Sequence, residues 1–397
     1  MRFFFLLLLM GILGPTGATQ PEMLFGMSTT LSGPAAELGT NMRDGVLIAF
    51  DRANRNGGVD GKALQLHVLD DAYEPARAAR NVHDLASNPD MLAIVGNVGT
   101  PTAIASLPVI REHRILFFAP FTGAGVLRRA PPERYIVNYR ASYAEETAAM
   151  VNALIDTGGL KPHEIAFFTQ RDGYGDAGFY GGITALRKHG LKSDLDVAHV
   201  RYERNTLAVE SALADLLYAD PLPRAIIIVG AYAPAAKFIG LAREHGINAL
   251  MLNVSFVGSR PLADTMKAPD GKTLITQVVP HPAHRDLPIV AEYLDDLARY
   301  KDTLKPSFGS LEGYLAGRVL IRALNQLGQP PTREALIDAL EGLGQFDPGL
   351  GYPLNLSKTN HQASHEVWPT KLNGRAIVPF DWAQIGSLLK KGQSTRE

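Results

Sequence analysis

The chain has 397 residues, 39 Lys and Arg against 40 Asp and Glu, a formal net charge of -1 and no cysteine. That balance leaves no electrostatic footprint for nucleic acid. The missing thiols exclude disulfides, thiolate zinc sites, cysteine nucleophiles and a lipid-attachment cysteine, and the length exceeds one ordinary core, so two domains are expected.

Residues 1–18 read as a secretory signal peptide. Arg2 supplies the positive charge, Phe3 to Leu13 an uncharged apolar core, and Thr16-Gly17-Ala18 the small residues before cleavage after Ala18. The core is shorter than the about 20 apolar residues of a membrane span. Leu24 to Met27 then form a short apolar strand ending in Ser28-Thr29-Thr30. Leu38, Met42, Val46, Ala49 and Ala53 recur at helix spacing, and Asn56-Gly57-Gly58 stops that helix, since glycine tolerates the left-handed cap. A strand from Leu64 to Leu69 ends at Asp70-Asp71. The first loop of this strand-loop-helix-strand unit is rich in hydroxyls. Loops after parallel strands are where open α/β sheets bind ligands, so a small polar ligand is expected.

The alternation continues. Strand-like runs are Leu92–Val95, Ile115–Phe118, Ile165–Phe168, Val197–Tyr202, Ala225–Val229, Ala249–Leu252 and Leu274–Val278. Helical runs lie between them at 76–87, 102–113, 144–157, 179–189, 207–218 and 234–245, followed by 287–300, 309–327 and 333–341, the last with Thr332 as N-cap. This pattern means parallel sheets covered by helices, in two series that divide near Arg140. Tyr352 to Pro379 read as short strands with an Asn373-Gly374 turn.

Three stretches carry a family resemblance: Leu31-Ser32-Gly33-Pro34 with Gly39, Asn56-Gly57-Gly58-Val59-Asp60-Gly61, and Asp70-Asp71-Ala72-Tyr73-Glu74-Pro75 with Ala78 and Asn81. In order and spacing the segment resembles the start of the substrate-binding proteins of branched-chain amino-acid ABC importers. The resemblance implies the type I periplasmic binding fold, α/β, with two Rossmann-like lobes of parallel sheet joined by three crossing strands. The crossings are expected near 138–142, 253–258 and 346–352. Lobe one would hold 19–140 and 256–347, and lobe two 141–255 and 348–397.

Several loops are candidates for ligand contact. Gly96-Asn97-Val98-Gly99-Thr100-Pro101-Thr102 joins a buried strand to a helix, with Pro101 suited to the first turn. Its hydroxyls and free N–H groups suit a carboxylate, and the resemblance implies that Thr100 and Thr102 hold one. Phe121 and Thr122 sit in the next strand-end loop, as an apolar wall and a hydrogen-bonding group. The resemblance also implies that Tyr174 lays its ring over the ligand and that Tyr232 touches it. Amino-acid binders of this family often carry an acidic residue near 253–258 for the ligand's ammonium, whereas this chain has Ser255 and Phe256. Asp172, Asp176, Glu145 and Glu146 are the acidic residues left to substitute. The expected ligand therefore has one acceptor end and an apolar or aromatic body.

Gly173, Gly175 and Gly178 satisfy G-x-G-x-x-G, with Asp194 and Asp196 about twenty residues on. That pattern is the basis of the alternative, a secreted α/β oxidoreductase. Four polar residues, Thr169 to Asp172, separate the strand from the first glycine, and Asp172 and Asp176 would repel a pyrophosphate. The pairs His281/His284 and His361/His365 lie on no convincing helix, and no G-x-S-x-G elbow occurs. The expectation is an exported, monomeric periplasmic receptor that closes about a small molecule and is recognised by importer permease subunits. No catalytic residue, metal, cofactor or nucleic-acid partner is expected. A sensory binding protein is the milder alternative.

Overall fold

The computed structural model describes residues 21–328 and 330–390; the expected signal peptide lies outside them. The first series runs β1 (Glu22–Thr29), α1 (Ala36–Arg55), β2 (Ala63–Asp70), α2 (Pro75–Ala86), β3 (Met91–Val95), α3 (Thr100–His113), β4 (Leu116–Phe118) and β5 (Ile136–Val137). Its five strands are parallel, in the order β2-β1-β3-β4-β5. The second series runs α4 (Tyr143–Asn152), β6 (Ile165–Gln170), α5 (Gly173–Lys188), β7 (His199–Tyr202), α6 (Glu210–Leu217), β8 (Ala225–Val229), α7 (Tyr232–Glu244), β9 (Leu250–Asn253), α8 (Ser259–Thr265) and β10 (Thr273–Gln277). β10-β9-β8-β6-β7 are parallel neighbours. Every residue of β3 and of β8 is buried, which is why these strands read as unbroken apolar runs.

After β10 the chain forms α9 (Pro288–Tyr300), α10 (Phe308–Leu324), α11 (Arg333–Glu341), β11 (Gly344–Phe346), β12 (Leu354–Leu356), β13 (Trp368–Asn373), β14 (Ala376–Pro379) and α12 (Ile385–Lys390). α10 packs on α1 at glycine contacts: a Cβ on Gly313 would meet the Met42 carbonyl oxygen at 2.3 Å. Thr332 caps α11, its hydroxyl accepting from the Ala335 N–H at 3.2 Å. The Arg333 guanidinium ties that helix to the first sheet through the carbonyls of Ala86, Asn88, Met91 and His113. No helix of the described residues is long and apolar enough to cross a membrane.

The two-lobed α/β fold agrees with the expectation, but one boundary and two crossings differ. Thr273–Gln277, assigned above to lobe one, is hydrogen-bonded between β9 and the antiparallel β13 and so belongs to the second sheet. The stretch 253–258 therefore stays beside the second sheet, and the chain returns to the first lobe after Gln277. The last crossing lies near 361–365. There it runs parallel to the first, with the Asn138 N–H donating to the His361 carbonyl at 2.7 Å and the Ser364 N–H to the Tyr139 carbonyl at 2.8 Å. Alternation fixes the order of elements and says nothing about which sheet a strand joins.

Candidate ligand-binding crevice

The C-terminal ends of the two parallel sheets face each other. On the first, Gly99 carries φ 104° and packs under Tyr73, where an added Cβ would lie 2.2 Å from the ring. That close approach leaves Thr100 at the start of α3, fully buried, with its hydroxyl 2.6 Å from that of Thr122. Thr102 differs from the expectation. Its hydroxyl donates back to the Val98 and Gly99 carbonyls, so its one proton is committed to the helix turn. The free N–H groups of the first turn remain the local dipole end.

The two lobes meet through aromatic rings. Phe256, on a short turn after β9, lies 4.7 Å from Tyr174, 5.5 Å from Phe121 and 6.1 Å from Tyr73, centroid to centroid. Tyr174 is in the first turn of α5 and not on a loop. Asp172 caps that turn, accepting from the Tyr174 N–H at 3.0 Å, and the phenol donates to the Gly230 carbonyl at 3.3 Å. The Tyr143 ring lies against it, tilted by 51° with centroids 5.2 Å apart. Each such ring pair contributes about 0.5–1.5 kcal/mol beyond area burial. Tyr232 is placed apart from this group: it is half-buried at the start of α7, with its phenol against the Glu37 backbone.

Beneath the rings lies an ionic group that the sequence does not announce. Arg140, on the first crossing, is 0% exposed, as is Glu146, and Glu312 is 3% exposed. Glu146 accepts from the Ser255 N–H at 2.7 Å, the Ser255 hydroxyl at 3.0 Å and the Thr276 hydroxyl at 2.6 Å. Arg140 Nη2 donates to the Ser255 hydroxyl, and its guanidinium lies over Phe121 at 4.8 Å. Its Nη2 and Nε stand 3.6 Å from Glu146 and Glu312 respectively, close enough for charge pairing but not for a hydrogen bond. Nε and Nη1 have no hydrogen-bond partner among the described residues. A buried donor left unpaired costs about 1–3 kcal/mol. Burial pushes the Glu312 carboxyl up to about 7, against the pull of Arg140. Burial likewise raises Glu146 despite Arg140 and its hydrogen bonds.

Phe121, Ser255, Gln277 and Glu312 border a cavity of about 20 Å³, room for roughly one water. The rim is shut by polar contacts between lobes. Arg204 donates to the Tyr73 carbonyl at 2.6 Å, Asn205 to Glu74 at 2.6 Å, and Gln170 to the Tyr73 hydroxyl at 3.3 Å. The structure therefore has its lobes closed.

The glycine pattern has a packing explanation. Gly173, Gly175 and Gly178 all lie inside α5; a Cβ on Gly175 would meet the Gln170 carbonyl at 1.9 Å, and one on Gly178 the Val229 side chain at 2.5 Å. No tight phosphate-binding turn precedes the helix. His361 and His365 bond to Glu341 and Glu145, and His281 to the Ile377 carbonyl.

Comparison with known proteins follows the same lines. The family model described as periplasmic binding protein matches residues 23–376. The Leu/Ile/Val-binding protein BraC3 of Rhizobium johnstonii is 23% identical over 340 residues, covering 83% of this chain and 86% of that one. A crystal structure described as a possible leucine/isoleucine/valine-binding protein from Rhodopirellula baltica is 48% identical, with a TM-score of 0.90 over 94% of this chain and 100% of that one. A substrate-binding periplasmic protein from Ralstonia solanacearum is 28% identical, with a TM-score of 0.81 over 90% of this chain and 100% of that one.

Proposed function

The chain belongs to the periplasmic binding protein family, and we propose that it is the solute receptor of an ABC importer of the branched-chain amino-acid type. Its ligand is a small amino acid or a related carboxylate or amide, held between the lobes by hinge closure. Importer permease subunits recognise the closed form, and the protein works as an exported monomer in the periplasm. The observation that carries this reading is the buried crevice itself, where Thr100, Thr122, Phe121, Tyr174 and Phe256 converge from both sheets. The names of the relatives support branched-chain amino acids.

The ammonium position changes the sequence-based expectation about the ligand. Glu312 borders the same small cavity as Ser255, so a carboxylate lies close to Ser255 although none occurs at 253–258. An α-amino acid has an acidic partner there. An oxidoreductase finds no support in the α5 glycines, which are filled by neighbouring backbone and side chains.

A thermal-shift screen of the exported protein against leucine, valine, phenylalanine, their des-amino acids and their amides tests the reading. A ligand at a hundred times its dissociation constant adds about 2.7 kcal/mol of stability, with no chemical change in the ligand. Turnover, or no shift with any of these compounds, would contradict it.

A further inference from the structure

The crevice lies at the C-terminal ends of the strands. At the opposite edge of the first sheet, where β3 and β4 begin, α2 and α3 end side by side. Val82, Leu85 and Ala86 of one pack in a single cluster with Ala103, Leu107 and Ile110 of the other. That packing sets their last turns together, and each last turn carries a histidine, His83 and His113. His83 is exposed and His113 half-buried, and Nδ1 of His83 faces Nε2 of His113 at 3.3 Å. We propose that this pair is a binding site for a divalent transition metal that favours imidazole (zinc, nickel or copper), with water filling the remaining positions. The sequence hides it, because 30 residues separate the two rings.

Two observations lead there. The first is distance. Zinc lies roughly 2.0–2.1 Å from an imidazole nitrogen, so two nitrogens 3.3 Å apart subtend about 104–111° at such an ion, a tetrahedral angle. A direct hydrogen bond between the rings is long at that separation, so little is lost when a metal replaces it. The second is the freedom of the protons. A neutral imidazole binds a metal through one nitrogen and keeps its proton on the other. Nε2 of His83 and Nδ1 of His113 make no hydrogen bond among the described residues, so each can hold the proton and leave both facing nitrogens as lone pairs. Other histidines are committed elsewhere. His361 lies between the Ile136 carbonyl and Glu341, His281 between the Ile377 carbonyl and the Ala283 N–H, and His365 against Glu145. The Ala86 and His113 carbonyls at the two helix ends accept from Arg333. No third histidine, aspartate or glutamate joins the pair among the described residues. The protein therefore supplies two nitrogen ligands, which suit zinc, nickel and copper and not the oxygen-preferring magnesium or calcium.

The test is calorimetric titration of the untagged, metal-stripped protein with zinc chloride and with nickel chloride. Each ion should saturate at one equivalent. Loss even of a group that only orients a metal ligand costs about 10–100-fold in metal affinity, so His83→Gln and His113→Gln should each weaken zinc binding by about tenfold or more. Melting curves without metal check that both variants fold. Zinc should then raise the melting temperature of the wild-type protein, since it binds the folded form, and should leave that of either variant where it was. His163→Gln, at an exposed histidine of the second series, should bind zinc as the wild-type protein does. A wild-type protein without saturable zinc or nickel binding overturns the site. So does a folded His83→Gln or His113→Gln protein that binds zinc undiminished, or an equal loss in His163→Gln. Each of these results leaves the receptor function standing, because the pair lies away from the crevice.

Discussion

Tyr174 is fully buried, with Phe256 and Tyr143 on its ring and the Gly230 carbonyl at its hydroxyl. Two substitutions separate those contributions. Tyr174→Phe keeps the ring and removes one neutral hydrogen bond inside the second lobe, so stability should fall by about 0.5–1.5 kcal/mol with affinity little changed. Tyr174→Ala removes the wall and should weaken binding by roughly 1–3 kcal/mol, read by calorimetry. It should also lower the melting temperature, since a buried aromatic cut to Ala costs about 3–5 kcal/mol. Unchanged affinity in a folded Tyr174→Ala protein would remove the residue from the site. The sequence offered Thr100, Phe121, Thr122, Tyr174 and Phe256 from their strand-end positions and from the resemblance, and the structure brings these five residues close together. Arg140 and Glu312 were not legible there. One lies on a crossing segment and the other on α10, far along the chain, where packing on α1 at Gly45 and Gly313 helps to set its place beside Arg140.

At the scale of elements, the segments 138–142 and 361–365 run side by side between the sheets. Glu145 accepts there from the Ser142 N–H and hydroxyl, both at 2.6 Å, from Gln362 at 2.9 Å, and from His365 at 2.5 Å. Burial would raise the Glu145 carboxyl, but hydrogen bonds from His365, Ser142 and Gln362 hold it at about 2. The Glu145 carboxylate in turn raises His365 above 6.5. A raised histidine contributes stability fully below 6.5 and loses it as pH rises through its folded value. A depressed carboxylate contributes above 4.5 and loses it as pH falls toward 2. The pair is therefore strongest between 4.5 and 6.5. His365→Gln should lower stability there by less than about 1 kcal/mol, because the pair is solvent-screened. The difference should shrink above neutral pH, as followed by melting curves of both proteins across the range. A constant difference from acid to alkaline pH would contradict this account. Among the elements themselves, long buried strands such as Ala225–Val229 were read to the residue. β5 has two residues and offered too little pattern to see.

At the scale of the whole molecule, the β/α alternation announced two parallel sheets, and the resemblance supplied the lobes. The sheet membership of Thr273–Gln277 needed the structure, since a strand's neighbours are set by pairing and not by its own residues. The central claim is that the lobes close about a small ligand. The absence of native cysteine makes that claim measurable. Cysteines placed at the exposed positions Ala76 and Ala208 take a donor and an acceptor dye on opposite sides of the rim, beside the Glu74–Asn205 contact. Energy transfer should rise on adding the acid that stabilises the protein most in the screen, and should saturate along the calorimetric binding curve. Saturating ligand that leaves the transfer unchanged would contradict capture by closure.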